Sequence, residues 1–237
     1  MYVKNSLRIK SIWASLIFVV LAVIGFNSTY AQTNLSKPKN IIILFADGTT
    51  NAQYEFGRYS SAQLRQQSFA LTDVVMTKGN YQLMKTESAN YFVTDSAAAA
   101  SAMSIGYKVN NGAISVTPDG GTPPTLMKRA KDYGKRIGLI STAPIYDASP
   151  AAFSVHAKSR RDSEAIVSQY LELAPDVLLG GGANYFLPNT SKSGKRVDST
   201  NIIEAFKNQY PDYFILVTFY SPSGYEVRKN TPGIDFV

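Results

Sequence analysis

A serine stands where a strong helix begins, in the stretch Val93-Thr94-Asp95-Ser96 that leads into four alanines. The free backbone N–H groups and the positive end of the dipole at a helix N-terminus favour an anion. An attacking alkoxide and a phosphate both benefit from that position, so Ser96 is a candidate nucleophile toward phosphate. The residues alone leave a second interpretation open, in which Thr94, Asp95 or Ser96 only caps the helix.

A carboxylate follows the first apolar run after the N-terminal region. Residues 40–45 (Asn-Ile-Ile-Ile-Leu-Phe) are rich in β-branched side chains and predict a strand buried on both faces. Asp47 and Gly48 come shortly after it, and an aspartate at the end of a strand can hold a hard divalent cation. Strand-Asp-Gly is also a common turn, so the spacing by itself leaves both uses open.

A third polar group lies farther along the chain. Asp147 and Ser149 are two residues apart, and in an extended segment they would point toward one ion. Arg160 can offer two parallel N–H donors to phosphate oxygens. In the alternative interpretation, Arg160 is only a solvated basic residue beside Arg161. His156 is the single histidine of the sequence, and a lone histidine is more often structural than a metal ligand.

Predicted helices and strands alternate along the sequence, and these elements must position the candidate residues. The sequence predicts helices at 94–103 (ending near Gly106), 126–133 (stopped by Gly134), 162–173, and from Ser199 or Thr200 to 209. It predicts further strands at 136–142, 176–179 and 213–218. This alternation indicates an α/β fold with a mostly parallel central sheet and helices on both faces, in which ligands bind at the carboxyl ends of the strands.

The N-terminus has the layout of a secretory signal peptide. Lys4, Arg8 and Lys10 precede an apolar run at 12–26, and small residues precede a cleavage point after Ala31. An uncleaved membrane anchor is the alternative, but the run is short, because about 20 residues are needed to span a bilayer. We therefore predict a signal peptide at 1–31, a polar linker at 32–39, a domain at 40–218 and an atypical tail at 219–237, in an exported, periplasmic or extracellular protein.

Charge and cysteine content exclude several functions. The formal net charge is +7, and residues 1–31 hold three basic groups and no acidic one, so the mature chain carries +4. No block of Lys and Arg is present, which favours an ordinary soluble surface over nucleic-acid binding. With no cysteine, the chain has no disulfide, no thiolate metal site and no cysteine nucleophile.

Together and in order, these motifs resemble the alkaline phosphatase family. The resemblance is carried by Phe45-Ala46-Asp47-Gly48, Val93-Thr94-Asp95-Ser96-Ala97, and Asp147-Ala148-Ser149-Pro150-Ala151-Ala152 with His156 and Arg160 downstream. A strand and glycine turn at Leu178-Leu179-Gly180-Gly181-Gly182 also resembles the family, and the likeness runs from about Lys39 to Thr218.

The resemblance implies a role for each site residue. Ser96 would form a phosphoseryl intermediate during hydrolysis of phosphate monoesters and would also lie on zinc. Asp47 would bridge one Zn²⁺ and a Mg²⁺, and Ser149 would ligate the Mg²⁺ with Asp147 beside it through water. Arg160 would hold the phosphate and would be oriented by Asp95. His156 would be structural, and since dimers are common in the family, a homodimer is implied as well.

The second half of a family member supplies a Glu for magnesium and several Asp and His ligands for two zincs. With one histidine, this sequence does not encode the complete dizinc site. We therefore expect a truncated form with reduced or no activity, arising from a gene defect or existing as a natural short form. A non-catalytic phosphate- or metal-binding remnant is the alternative function, and a sulfatase or phosphomutase of the same superfamily is a third.

Overall fold

A computed structural model describes residues 38–80 and 82–218. The chain divides into two units, residues 1–44 and residues 45–237, and of the first unit only 38–44 are described. The predicted signal peptide (1–31), most of the predicted linker and the predicted tail (219–237) lie outside the described residues. Within the described part, no helix is long and apolar enough to cross a membrane.

The strand predicted at 40–45 is wrong for this structure. Residues 40–45 have no regular secondary structure, and Ile42 is 92% exposed. Asp47 and Gly48 form a turn in which Gly48 has a φ of 65°. An apolar, β-branched run forms a stable strand only when a neighbouring strand takes its backbone hydrogen bonds, so composition alone does not make residues 40–45 a strand.

Within the described residues, three parallel strands form one sheet in the order β1-β2-β3, and they confirm the strands predicted at 136–142, 176–179 and 213–218. Strand β1 is Gly138–Pro144, β2 is Val177–Gly181 and β3 is Phe214–Thr218. Leu139 pairs with Leu178, and Leu178 pairs with Ile215. Leu139 and Leu178 are buried and belong to the core, whereas Ile140 on the other face of β1 is 74% exposed.

The described part of the chain contains seven α-helices. They are α1 (Asn51–Arg65), α2 (Met76–Lys78), α3 (Ser96–Ile105), α4 (Leu126–Asp132), α5 (Ala148–Ser154), α6 (Ser163–Leu173) and α7 (Ile202–Gln209). A π-helical segment, Leu71–Val75, precedes α2, and a 3-10 turn, Ala183–Tyr185, follows β2. The four predicted helices are confirmed as α3, α4, α6 and α7, whereas α1, α2 and α5 were not predicted.

Small side chains bring helices α3 and α5 close together. Ala97 and Ala100 of α3 and Ala148, Ala151 and Ala152 of α5 are buried in one core cluster. Alanine extends only a methyl group beyond the backbone, so two helices with alanine faces can approach closely. The close packing places the first residues of both helices beside the same turn.

A buried arginine fixes the segment between β2 and α7. Arg196 is 1% exposed and donates hydrogen bonds to the carboxylate of Asp198 and the hydroxyl of Ser168. It also donates to the backbone carbonyl oxygens of Glu164 and Tyr185. The guanidinium hydrogen bonds therefore join α6, the 3-10 turn and this segment, as burial of a charge requires.

Candidate functional site

Ser96 is the first residue of α3 and does not cap it. Asp95 is the N-cap, and its Oδ1 accepts a hydrogen bond from the backbone N–H of Ala98 at 2.9 Å. The helix ends at Gly106, whose φ of 79° is in the left-handed region that favours glycine. Because Asp95 serves as the cap, the hydroxyl of Ser96 is available for another partner.

Three oxygen-bearing side chains meet at the turn after residue 45. Ser96 Oγ donates to Asp47 Oδ1 at 2.9 Å, and Ser149 Oγ donates to Asp47 Oδ2 at 2.8 Å. Asp47 lies on the exposed surface, and Phe45 near it packs edge-on against Phe153 of α5 with ring centroids 6.1 Å apart. One carboxylate thus joins the first turns of α3 and α5.

A second group forms around the guanidinium of Arg160. Nη2 of Arg160 lies 2.9 Å from Asp147 Oδ1, and Nη1 lies 3.3 Å from Asp95 Oδ2. Burial alone would lower the pKa of Arg160, but its hydrogen bonds and charge interactions with Asp147 and then Asp95 outweigh it and leave that pKa above its ordinary value. The guanidinium is therefore a permanent cation held between two carboxylates.

The extended geometry expected for Asp147 and Ser149 is wrong. Asp147 is the N-cap of α5 and accepts from the backbone N–H of Ala148 at 2.7 Å, while Ser149 is the second residue of the helix. The two side chains have different partners, since Asp147 bonds Arg160 and Ser149 bonds Asp47. Asp147 thus belongs to the cluster around Arg160 and not to the cluster of Asp47, Ser96 and Ser149.

His156 lies in a structural hydrogen-bond arrangement. Its Nε2 is 2.8 Å from the carbonyl oxygen of Pro123, so this nitrogen donates, and its backbone exchanges hydrogen bonds with the side-chain amide of Gln169. The ring nitrogen that donates to a carbonyl has no lone pair to offer a metal. These contacts agree with the structural role expected for His156.

Sequence reasoning missed the segment that joins the two groups. The backbone N–H of Gly112 donates to Asp95 Oδ2 at 3.0 Å, and the carbonyl of Gly112 accepts from the backbone N–H of Arg160 at 2.7 Å. Asn111 bonds the backbone of the Ser96 loop through its side chain. The Asn111-Gly112 pair was a visible turn signal, but nothing in the sequence indicated what the turn contacts.

The donor chemistry fits magnesium in part and does not fit zinc. Asp47 and Ser149 supply hard oxygen donors of the kind that Mg²⁺ accepts, with water completing its octahedral shell. Within residues 38–80 and 82–218, no group of three or more His, Cys, Asp and Glu side chains is placed to hold a metal ion. Zinc held by nitrogen and oxygen needs imidazoles, and His156, the single imidazole, is bonded to a carbonyl elsewhere.

Comparisons with known proteins show the family of the chain. A protein-family model described as alkaline phosphatase matches residues 38–216. Alkaline phosphatase 3 of Bacillus subtilis is 35% identical over 159 residues, which are 65% of this chain and 34% of that protein. The repressible alkaline phosphatase of Saccharomyces cerevisiae is 32% identical over 201 residues, which are 79% of this chain and 35% of that protein.

Solved structures show the same fold. The alkaline phosphatase of Thermus thermophilus superposes with a TM-score of 0.66 at 28% identity, covering 73% of this chain and 38% of that one. A mutant of the alkaline phosphatase from the Antarctic bacterium TAB5, described with Mg bound in its M3 site, gives 0.60 at 32% identity, covering 72% and 45%. The chain spans about a third of the length of the curated relatives it matches. The chain belongs to the alkaline phosphatase family, and residues 38–216 carry the match.

Proposed function

We propose that this chain hydrolyses phosphate monoesters through a phosphoserine intermediate at Ser96. The observation that carries the proposal is the position of the Ser96 hydroxyl, at the first residue of α3 and 2.9 Å from Asp47 Oδ1. Asp95, the neighbouring residue, contacts the Arg160 guanidinium. A nucleophile, an acceptor for its proton and a fixed cation thus belong to one small region.

The proposed reaction has two displacement steps. Ser96 Oγ attacks the phosphorus, the bond from phosphorus to the ester oxygen breaks, and the alcohol leaves with a proton. Water then attacks the phosphoserine, which releases inorganic phosphate and restores the hydroxyl. Phosphoryl transfer depends mainly on positioning and charge stabilisation, and Arg160 would provide both by binding two phosphate oxygens while the two aspartates hold it.

Asp47 and Ser149 would hold magnesium, with Asp147 farther off. A divalent cation there would supply positive charge to offset the charge that develops on the phosphate oxygens. The hydrogen bond from Ser96 to Asp47 fixes the direction of the O–H bond and gives the departing proton an acceptor. Because the described residues do not form a zinc site, the proposal assigns no step to zinc.

The test is hydrolysis of p-nitrophenyl phosphate by the purified full chain with Mg²⁺ and Zn²⁺ added, beside Ser96→Ala. Ser193→Ala is the matched control, because Ser193 is exposed and its side chain makes no hydrogen bond among the described residues. Because the described residues supply no zinc site, we expect slow turnover in the parent, the same rate in the control, and none in Ser96→Ala. Equal turnover in all three proteins would refute the nucleophile assignment.

A non-catalytic phosphate- or metal-binding protein is the second candidate. It is favoured by the lack of a cluster of three or more metal-binding side chains among the described residues. In that case inorganic phosphate would bind, as isothermal titration calorimetry can show, while no ester would be hydrolysed by the parent. Loss of phosphate binding in Arg160→Ala would then identify the guanidinium as the binding group.

We also propose that the chain is exported. The supporting feature is the basic, apolar and small-residue pattern of residues 1–31, which lie outside the described part. N-terminal sequencing of the protein recovered from a secreting bacterial host should begin at Gln32. A protein that keeps Met1 and stays in the cytoplasm would refute the export signal.

A further inference from the structure

Asn111 is bound to the backbone of the loop that leads into Ser96. Its Oδ1 accepts from the backbone N–H of Asp95 at 3.0 Å, and its Nδ2 donates to the carbonyl oxygen of Val93 at 2.9 Å. The side-chain amide therefore satisfies one donor and one acceptor of the loop, as a neighbouring strand would. The hydrogen bonds hold the loop at two points on either side of Thr94.

Asn111 is itself held in place. Its backbone N–H donates to Asn90 Oδ1 at 2.9 Å, and the same oxygen accepts from the hydroxyl of Ser88 at 3.1 Å. Ser88 is buried, and its own N–H and hydroxyl both reach the carbonyl of Tyr91. A side chain that is fixed from behind can position the group in front of it.

The residues after Asn111 lead to Arg160 and its carboxylate partner Asp95. We define residues 110–114 as the connecting segment. Gly112 bonds the carboxylate of Asp95 through its N–H and the backbone N–H of Arg160 through its carbonyl. Ile114, which is fully buried, exchanges two backbone hydrogen bonds of 2.9 Å with Ala157. The connecting segment thus runs from the loop at 93–95, which leads into Ser96 and is here called the nucleophile loop, to Arg160. Ile114 holds the segment in the core.

Gly112 permits this path. Its φ of 84° lies in the left-handed region, where other residues are strained. The conformation turns its N–H toward Asp95 while its carbonyl faces Arg160. Within the connecting segment, the side chain of Asn111 therefore contacts the nucleophile loop, and the backbone of Gly112 contacts Asp95 and Arg160.

We propose that Asn111 is a positioning residue that sets the place of Ser96 relative to the phosphate held by Arg160. The proposal rests on the proposed function and deepens it. In Asn111→Ala the loop loses both amide hydrogen bonds, while the backbone contacts of Gly112 still hold Arg160. The attacking oxygen should then be misplaced although the phosphate site stays intact, and a shift of about 1 Å can slow a reaction about 100-fold.

The experiment compares Asn111→Ala with Asn110→Ala in the full chain. Asn110 is the neighbouring asparagine, also half-buried, and its side chain makes no hydrogen bond among the described residues. Four quantities are measured: the single-turnover rate of Ser96 phosphorylation by p-nitrophenyl phosphate, the Kd for inorganic phosphate, the NMR exchange rate of the Asp95 amide, and Tm. Mass spectrometry of the Ser96 peptide follows the phosphoserine.

We expect Asn111→Ala to slow phosphorylation about 10- to 100-fold, with a Kd for phosphate within about threefold and a Tm close to that of Asn110→Ala. The Asp95 amide should exchange about fivefold to tenfold faster because it loses its acceptor. Asn111→Asp keeps that acceptor, so it should retain the protection of the Asp95 amide.

Two results overturn the proposal. One is an unchanged Asp95 exchange rate in Asn111→Ala; the other is a joint fall in rate, phosphate affinity and Tm, which would mean a purely structural role. A parent chain that forms no phosphoserine refutes the proposed function instead. The Asp95 exchange rate then decides alone whether Asn111 holds the loop.

Discussion

Replacement of Arg160 by lysine tests whether the fixed guanidinium binds phosphate. Arginine can give two parallel N–H donors to two phosphate oxygens, whereas lysine keeps the charge but acts as a single point. In the parent chain Arg160 is oriented by Asp147 at 2.9 Å and by Asp95 at 3.3 Å. A lysine ammonium has no planar fork and cannot bond both carboxylates and the phosphate in the same way.

The size of the effect follows from the bond that is lost. A hydrogen bond to a charged group contributes about 1.5–3 kcal/mol, which corresponds to roughly 10- to 150-fold in Kd. The Arg160 side chain is 31% exposed, so water screens part of that contribution. We therefore expect the low end of the range, a Kd for inorganic phosphate that is about tenfold weaker in Arg160→Lys.

Isothermal titration calorimetry of the full chain with inorganic phosphate, at a fixed concentration of Mg²⁺, measures this change. Arg161→Lys is the matched control, because Arg161 is exposed and its side chain makes no hydrogen bond in the described part of the chain. Since Arg160 is a permanent cation with a raised pKa, the ratio of the two Kd values should stay constant from about pH 6 to about pH 9. Equal Kd values for the two variants would refute the reasoning, and a parent that binds no phosphate would refute the anion site as a whole.

Three further changes test other contacts. The hydrogen bond from Arg196 lowers the pKa of Asp198 to about 2. The stability that this contact contributes is therefore fully present above the ordinary aspartate pKa of about 3.9 and is lost as the pH falls through 2. In urea unfolding, Asp198→Asn should be less stable than the parent at neutral pH, and its free energy of unfolding should change less between about pH 3.9 and about pH 2. Tyr170→Phe should cost about 1–2 kcal/mol in the same assay, because it leaves the buried carbonyl of Ile145 without its donor at 2.7 Å. Ser149→Ala should weaken Mg²⁺ binding about tenfold by calorimetry, and an unchanged affinity would contradict the magnesium assignment.

Helix α3 was predictable because every local signal agreed. Alanine has the highest helix propensity, a capping aspartate stands at the start and a glycine ends the helix. Helix α1 was missed for the opposite reason. None of its residues is buried, so no apolar face packed on a core supports it, and its start is marked by Gln53, whose side-chain oxygen accepts from the backbone N–H of Thr50 at 2.9 Å. The run at 40–45 shows the limit of composition, since β-branched residues predict a strand only when a partner strand is present.

The residue types at the candidate site were predictable, and their grouping was not. The sequence placed Asp147 and Ser149 together at one ion because it indicated an extended segment there. In the structure Asp147 starts helix α5, which turns its side chain to Arg160 while Ser149 turns to Asp47. The pairing depends on helix packing through small alanine faces, a long-range property that a local pattern does not record.

Formal charges explain why the proposed reaction depends on a cation. Asp47, Asp95 and Asp147 bring three negative charges to the site, and Arg160 brings one positive charge. The N-terminus of α3 adds roughly half a positive charge, so the protein alone presents a net negative field to a phosphate monoester that is itself a dianion. One Mg²⁺ at Asp47 would offset that excess. In the proposed reaction, the aspartates that fix Arg160 and orient Ser96 would therefore make a divalent cation a condition for substrate binding. For this reason Arg160→Lys and Asn111→Ala are to be compared with the parent at one fixed Mg²⁺ concentration.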